Sequence, residues 1–157
     1  ADRAILEALE LCGARYEWNE DVLRVQKSHL NPFEFDATNC PDLFPILATL
    51  AAAIDGESRI HGVHRLENKE SNRGISVQKE FSKLGLQIDL DGDTMVIHGH
   101  KDLNSAEVTS HNDHRIAMAC AIACCLTPEG IKIKDAEAVN KSYPEFWSLI
   151  QNLELSE

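Results

Sequence analysis

The chain has 157 residues, of which 43% are hydrophobic and 26% charged, a composition typical of an ordinary globular domain. Its formal net charge of −11 argues against a general nucleic-acid binder, because neutralising phosphates requires an excess of lysine and arginine. No apolar run reaches the roughly 18 residues that a membrane-spanning helix needs, so we expect no membrane segment.

The start of the chain predicts a helix followed by a β-hairpin. Residues 5–12 are helical in pattern, Gly13 follows as a C-terminal cap, and residues 14–18 and 22–26 alternate as two strands. The candidates for one buried face of this hairpin are Tyr16, Trp18, Leu23 and Val25. Because the helix is already under way at Ala1, which is not methionine, we expect a fragment of a longer protein.

Two different helices are predicted next. Asp42 precedes an apolar run over residues 43–54, and this run is apolar nearly all round, which predicts a helix buried on most sides. Lys69 lies just ahead of an amphipathic helix over residues 71–84. The polar residues that this second helix keeps are Lys79, Glu80 and Lys83.

The second half of the chain repeats the order of the first. A helix ends at Gly85, residues 86–90 and 94–97 form a second hairpin, and an apolar run covers residues 116–126. The matching landmarks, each pair roughly 72 residues apart, are Gly13 and Gly85, Asp42 and Asp113, Gly56 and Gly130, and Lys69 and Lys141. The sequence therefore predicts internal repeats over approximately residues 1–70 and 71–157, both within one domain.

This alternation of apolar helices with half-apolar strands predicts the fold class. Helices that are apolar on most sides must lie inside, and hairpins with one polar face must lie outside. The expected fold is α/β (α+β), built from repeated units with buried helices and outer sheets.

The cysteines give a prediction about the redox environment and about metals. Five cysteines are an odd number, poor material for a disulfide framework, and they favour a reducing cytoplasm. A metal site with His111 and His114 is conceivable, but Cys120 and Cys124 lie in an apolar run where buried small hydrophobic residues are the better interpretation. We predict no metal.

Charged side chains recur where the predicted helices begin. Asp42 could simply interact with the dipole of the helix that follows it. Lys69 and Arg73 are four residues apart and could converge on one anion, with Glu70 between them as a proton-transfer group; alternatively, Ser71 or Asn72 caps a solvated helix.

The run Asn112-Asp113-His114-Arg115 precedes the second buried helix. Arg115 at a helix start is electrostatically misplaced, because that end already carries partial positive charge, so an anion is its expected partner. Lys141, the repeat mate of Lys69, adds a cation at another helix start. Four cations and several acids suit a phosphorylated, carboxylated small molecule.

Four motifs resemble, in order and spacing, the signatures of 5-enolpyruvylshikimate-3-phosphate (EPSP) synthases. They are Cys40-Pro41-Asp42, Lys69-Glu70-Ser71-Asn72-Arg73, Asn112-Asp113-His114-Arg115 with the Ile116-Ala117-Met118 that follows, and Asn140-Lys141-Ser142-Tyr143-Pro144. The resemblance covers essentially the whole chain. It implies repeated βαβαββ units arranged as the inside-out barrel domain of enolpyruvyl transferases, with the active site between two such domains.

The resemblance also implies an activity and a role for each site residue. The family transfers the enolpyruvyl group of phosphoenolpyruvate to the 5-hydroxyl of shikimate 3-phosphate and releases phosphate, without a cofactor, in the shikimate pathway of aromatic amino acid and chorismate biosynthesis. By motif position, Asp42 is the base at the 5-hydroxyl, Lys69 contacts the phosphorylated shikimate, and Glu70 transfers a proton at the phosphoenolpyruvate methylene. The cations implied to hold phosphoenolpyruvate are Arg73, Arg115 and Lys141.

The remaining implied roles are supporting ones. His114 would tune the protonation of Glu70, and Asp113, with Asn112 beside it, would orient neighbouring cations. The motif departs from the family pattern at Asn72, where an acid is usual, and at Glu67, where a basic residue is common. Both changes bear on local charge and capping rather than on the proton-transfer groups.

The resemblance further implies partners. The small anionic substrates, phosphoenolpyruvate and shikimate 3-phosphate, would bind together with an N-terminal domain that this chain lacks, so the chain alone is expected to fold but to be inactive. Three alternatives remain: a UDP-N-acetylglucosamine enolpyruvyl transferase, an RNA-end cyclase-like module, and a non-catalytic anion-binding module of the same fold.

Overall fold

The computed structural model describes residues 2–67 and 69–152, which contain five α-helices and eight β-strands. The helices are α1 (Ile5–Leu11), α2 (Phe44–Ala52), α3 (Arg73–Lys83), α4 (His114–Ala123) and α5 (Phe146–Gln151). The strands are β1 (Arg15–Asn19), β2 (Val22–Gln26), β3 (Glu34–Asp36), β4 (Gly56–His61), β5 (Gln87–Asp91), β6 (Thr94–Gly99), β7 (Glu107–Thr109) and β8 (Lys132–Lys134).

The largest sheet has four strands in the order β3-β4-β6-β5. Strand β3 runs parallel to β4, and β6 is antiparallel to both β4 and β5. Two smaller sheets accompany it: the antiparallel hairpin β1-β2 and the parallel pair β7-β8. The four-stranded sheet thus joins the hairpin of the second half to two strands of the first half.

Helices α2 and α4 form the inner layer and pack against each other. In α2, Phe44, Leu47, Ala48, Ala51 and Ala52 are completely buried, which confirms the predicted buried helix. The hydroxyl of Thr49 lies 3.2 Å from the carbonyl oxygens of both Pro45 and Ala119, so the only polar side chain of α2 is satisfied within its own helix or across to α4. The predicted α/β architecture is confirmed.

Strand β6 lies directly on α2, and Gly99 makes this close approach possible. A Cβ atom at position 99 would lie 2.1 Å from the carbonyl oxygens of Ala51 and Ile54, far inside any real contact distance. Only glycine can occupy this position without moving the strand off the helix.

The predicted buried face of the first hairpin is wrong. Tyr16 and Val25 are paired across β1 and β2, as are Trp18 and Leu23, so all four do share one face. That face is nevertheless open: Trp18 is 50% and Val25 63% exposed. No further strand pairs with this hairpin in the described part of the chain.

The predicted burial of Cys124 is also wrong. Helix α4 ends at Ala123, and Cys124 begins a 3-10 turn at the surface, where Cys125 is exposed as well. The burial predicted for Cys120 is confirmed, and all five cysteines are free thiols. No helix between residues 2 and 152, leaving out residue 68, is long and apolar enough to cross a membrane.

Candidate functional site

The N-terminal ends of three helices meet at one place. Asp42 lies in the 3-10 turn Pro41–Leu43 that leads into α2, Arg73 is the first residue of α3, and Asp113 is the N-cap of α4. The Asn72 side chain caps α3 by accepting from the backbone N–H of Ile75, and Asp113 accepts from the N–H of Arg115. Local capping therefore aims these charged side chains at one another.

Arg73 is the centre of the cluster. Its side chain is completely buried and donates to three carboxylates: Nη1 to Asp42 at 2.6 Å, Nη2 to Glu70 at 2.6 Å and Nε to Asp113 at 2.8 Å. Burial works to lower the pKa of Arg73, but the hydrogen bond and charge of Asp113 outweigh burial and raise that pKa above its ordinary value. A buried guanidinium is tolerated here because each edge of its planar fork has an anionic partner.

Asp42 receives three cations. Besides Arg73, the Lys69 ammonium lies 3.2 Å from Oδ1 and Nη2 of Arg115 lies 3.4 Å from Oδ2. Partial burial works to raise the pKa of Asp42, but hydrogen bonds from Arg73 and Lys69 and the charge of Arg115 lower it below its ordinary value. The carboxylate is therefore ionised at neutral pH and available as a hydrogen-bond acceptor.

Lys141 reaches the same region from the end of the 3-10 helix Ala136–Lys141. Its ammonium donates to the backbone carbonyl of Asn112 at 2.8 Å and to the Asn112 side-chain oxygen at 2.6 Å. Asn112 directly precedes Asp113, so Lys141 lies beside the cluster without an ion pair to it.

His114, the first residue of α4, carries an unpaired polar atom. Its Nδ1 is buried and has no hydrogen-bond partner among the described residues. The predicted influence of His114 on Glu70 stays a prediction.

The charges of this cluster nearly balance. The acids Asp42, Glu70 and Asp113 face the cations Lys69, Arg73 and Arg115, and Lys141 adds one further positive charge alongside. Arg73 and Asp113 are fully buried, whereas Asp42 is 36% and Glu70 40% exposed, so the two accessible acids are those that a guest molecule can meet or displace. A cavity of about 250 Å³ opens beside Asp42 and Arg115.

Two residues beside the cluster were not predicted. Glu80 was predicted on the polar face of α3, but its side chain is completely buried and contacts His111 Nε2 at 2.7 Å. The sequence signal for Glu80 was its position one repeat after Ala8, which is buried in the core. Across residues 2–67 and 69–152, no three metal-binding side chains lie together.

Comparison with known proteins identifies a family. The family profile described as EPSP synthase (3-phosphoshikimate 1-carboxyvinyltransferase) matches residues 1–150. A 3-phosphoshikimate 1-carboxyvinyltransferase from Clostridium acetobutylicum is 40% identical over 152 residues, which are 97% of this chain and 35% of that protein. One from Brachyspira hyodysenteriae is 41% identical over 143 residues, covering 90% of this chain and 34% of that protein.

Solved structures agree on the fold. An EPSP synthase from Acinetobacter baumannii matches 98% of this chain with a TM-score of 0.86 at 26% identity, and the match covers 39% of that chain. The enolpyruvyl transferase NikO from Streptomyces tendae shares the fold with a TM-score of 0.74 at 19% identity, over 97% of this chain and 36% of its own. This chain thus spans about a third of the length of the curated relatives that it matches.

Proposed function

We propose that this chain, which belongs to the EPSP synthase family, supplies one wall of an active site that transfers the enolpyruvyl group of phosphoenolpyruvate to the 5-hydroxyl of shikimate 3-phosphate. The observation that carries the proposal is the meeting of Lys69, Arg73 and Arg115 with Asp42 and Glu70 at the starts of three helices. Cations fixed at helix N-termini suit the binding of a small anion with more than one negative charge.

In this proposal the two accessible acids move the protons. Asp42, ionised and exposed at its edge, takes the proton of the 5-hydroxyl as the oxygen attacks C2 of phosphoenolpyruvate. Glu70 transfers the proton at the methylene carbon, and His114 tunes its protonation. Loss of phosphate from the tetrahedral adduct then completes the transfer. Each step is proton transfer with charge stabilisation, which carboxylates and cations perform without a metal or an organic cofactor.

The cations hold the substrates. Lys69 is proposed to contact the phosphorylated shikimate, and Arg73, Arg115 and Lys141 the carboxylate and phosphate of phosphoenolpyruvate. Because Arg73 is already paired with three carboxylates, substrate anions must replace Glu70 or Asp42 as partners of its Nη atoms. Asp113, fully buried on the Nε side, stays in place and orients the guanidinium, and Asn112 supports Lys141.

The proposal includes the parts of the protein outside this chain. We propose that residues 1–157 form part of one domain with repeats over approximately 1–70 and 71–157, that a second, N-terminal domain completes the cleft, and that the protein works in a reducing cytoplasm. The chain by itself is then inactive, because half of the substrate contacts are absent.

The experiment uses the native full-length polypeptide that carries these residues, assayed for phosphate release with both substrates. Asp42→Asn keeps the shape of the side chain and removes the base, so turnover should fall about 100-fold or more, as for loss of a general base. The matched control is Asp55→Asn, which alters an exposed carboxylate paired only with Lys101. The control should keep wild-type turnover.

Two results would contradict the proposal. Phosphate release that is equal in Asp42→Asn and wild type would remove Asp42 from the chemistry. A wild-type protein that binds both anions and releases no phosphate would instead indicate the non-catalytic anion-binding module.

A further inference from the structure

Glu80 is a buried carboxylate in the middle of α3 that the proposed chemistry does not use. Its side chain has no exposed surface, and it accepts from His111 Nε2 at 2.7 Å, from the backbone N–H of Thr109 at 2.9 Å and from Lys83 at 2.5 Å. A buried carboxylate is costly unless it is paired, so a side chain at this position with three donors has a specific task. Two of the three donors belong to one turn, residues 109–113.

That turn has an unusual backbone. His111 and Asn112 have φ angles of +52° and +59°, two consecutive left-handed residues that are not glycine. Such a conformation is unfavourable and persists only where surrounding contacts hold it. Glu80 holds the turn at its first residue, Thr109, and again at His111.

The turn leads directly into the anion site. Asn112 presents its carbonyl and its side-chain oxygen to Lys141, and Asp113 accepts from Nε of Arg73. These two cations are among the groups proposed to hold phosphoenolpyruvate. The position of both therefore depends on the conformation that His111 and Asn112 adopt.

The first half of the chain shows that folding does not require this arrangement. One repeat before Glu80 lies Ala8, and the residue two before Asp42, the counterpart of His111, is Cys40. Ala8 and Cys40 are both buried in the hydrophobic core, and Cys40 has an ordinary negative φ of −139°. A helix and a turn can thus meet at this position with apolar side chains alone.

We propose that Glu80 and His111 are positioning residues: the pair fixes the left-handed turn and so sets Arg73 and Lys141 at the spacing that phosphoenolpyruvate requires. This inference rests on the proposed function. It assigns a task to two residues that touch neither substrate nor any of the proton-transfer groups Asp42 and Glu70.

The protonation state of Glu80 supports the pairing. Burial works to raise the pKa of Glu80, but hydrogen bonds from Lys83, Thr109 and His111 outweigh it and hold the pKa below its ordinary value. The carboxylate is therefore charged at neutral pH, and a hydrogen bond to a charged acceptor is about twice as strong as one between neutral groups.

The test compares three variants of the native full-length protein. Glu80→Gln keeps the size of the side chain and removes its charge, and the double variant Glu80→Ala/His111→Cys installs the residues of the first repeat. The matched control is Lys83→Gln, which removes the donor to Glu80 that lies outside the turn and is 37% exposed.

The inference predicts a selective change in substrate affinity. In Glu80→Gln the KM for phosphoenolpyruvate should rise about tenfold, as expected for weakening a buried charged contact that sets the site. The KM for shikimate 3-phosphate should change less than about twofold, because Lys69 does not depend on the turn. Lys83→Gln should keep both values, and the double variant should show the largest rise.

The outcomes separate the inference from the function. If wild type turns over and both variants at Glu80 keep its KM values, or lose only stability, the inference is overturned and the proposed function stands. If wild type does not turn over, the proposed function fails, and amide exchange of residues 109–113 decides. Faster exchange in Glu80→Gln than in Lys83→Gln supports the hold on the turn, and equal exchange overturns it.

Discussion

The two hairpins β1-β2 and β5-β6 have the same length, the same register and opposite surroundings. Tyr16 pairs with Val25 in the first, and one repeat later Ile88 pairs with Ile97 in the second. Val25 is 63% exposed, whereas Ile97 is completely buried. Two closely similar patterns of alternation thus lead to an open face in one half of the molecule and to a core face in the other.

The difference comes from what lies next to each hairpin. Strand β6 pairs with β4 and packs on α2, so the inner face of β5-β6 is covered. Hairpin β1-β2 forms a two-stranded sheet on its own within residues 2–67 and 69–152. Alternation therefore predicts that a strand exists and which side chains share a face, but a partner element decides whether that face is buried.

The sharpest way to break this comparison is Gly99→Ala against Lys27→Ala, the matching position one repeat earlier. The new methyl group at position 99 would collide with the carbonyl oxygens of Ala51 and Ile54, so the free energy of unfolding should fall by about 3 kcal/mol or more. Lys27 is exposed, and its substitution should change stability by less than about 0.5 kcal/mol. Urea unfolding of both variants measures the difference, and equal losses would contradict the described packing of β6 on α2.

The next largest effect is expected for Ile97→Ala against Val25→Ala. Truncating a buried isoleucine costs about 2 to 5 kcal/mol through lost burial and the cavity left behind. Val25 buries little, so Val25→Ala should change the free energy of unfolding by less than about 0.5 kcal/mol in this chain. A loss at Val25 that matches the loss at Ile97 would mean that something covers the first hairpin.

The smallest effect concerns the helices that precede the hairpins, where Glu80 replaces the Ala8 of the first repeat. Glu80→Gln should lower the free energy of unfolding at pH 7 by about 1 to 3 kcal/mol, the range for a buried hydrogen bond to a charged group. Because the folded-state pKa of Glu80 is below its ordinary value of 4.5, its contribution is present above the unfolded pKa and is lost as the pH falls through the folded pKa.

The gap between wild type and Glu80→Gln should therefore narrow as the pH falls below about 4.5. Denaturant unfolding at neutral and acid pH measures it, with Lys83→Gln as the control for the exposed partner. A gap that stays constant with pH would mean that the charge of Glu80 contributes nothing to stability.

The sequence predicted those features that depend on local pattern. Alternation gave the four hairpin strands, and the apolar run 43–54 gave a helix that is buried as predicted. The motifs also predicted that Asp42 and Arg73 lie at helix starts, because capping and helix-dipole preferences act within a few residues. The structure then brings these two side chains to 2.6 Å.

What the sequence could not predict depends on contacts between distant residues. Helical spacing groups Glu80 with Lys79 and Lys83 on a polar face, and only the contact with His111, 31 residues later, shows that its carboxylate is buried. Likewise, the end of α4 at Ala123 decides that Cys124 is exposed, although the apolar run continues beyond it. Tertiary context overrides the local pattern in both cases.

The central claim is that the helix starts at Asp42, Arg73 and Arg115, with Lys141 beside them, grip one small anion. The most direct measurement is a crystal structure of the native full-length protein with phosphoenolpyruvate and shikimate 3-phosphate bound. The account predicts phosphoenolpyruvate oxygens within about 3 Å of guanidinium nitrogens of Arg73 and Arg115 and of the Lys141 ammonium. Phosphoenolpyruvate bound elsewhere, with Arg73 still paired to Asp42, Glu70 and Asp113, would contradict it.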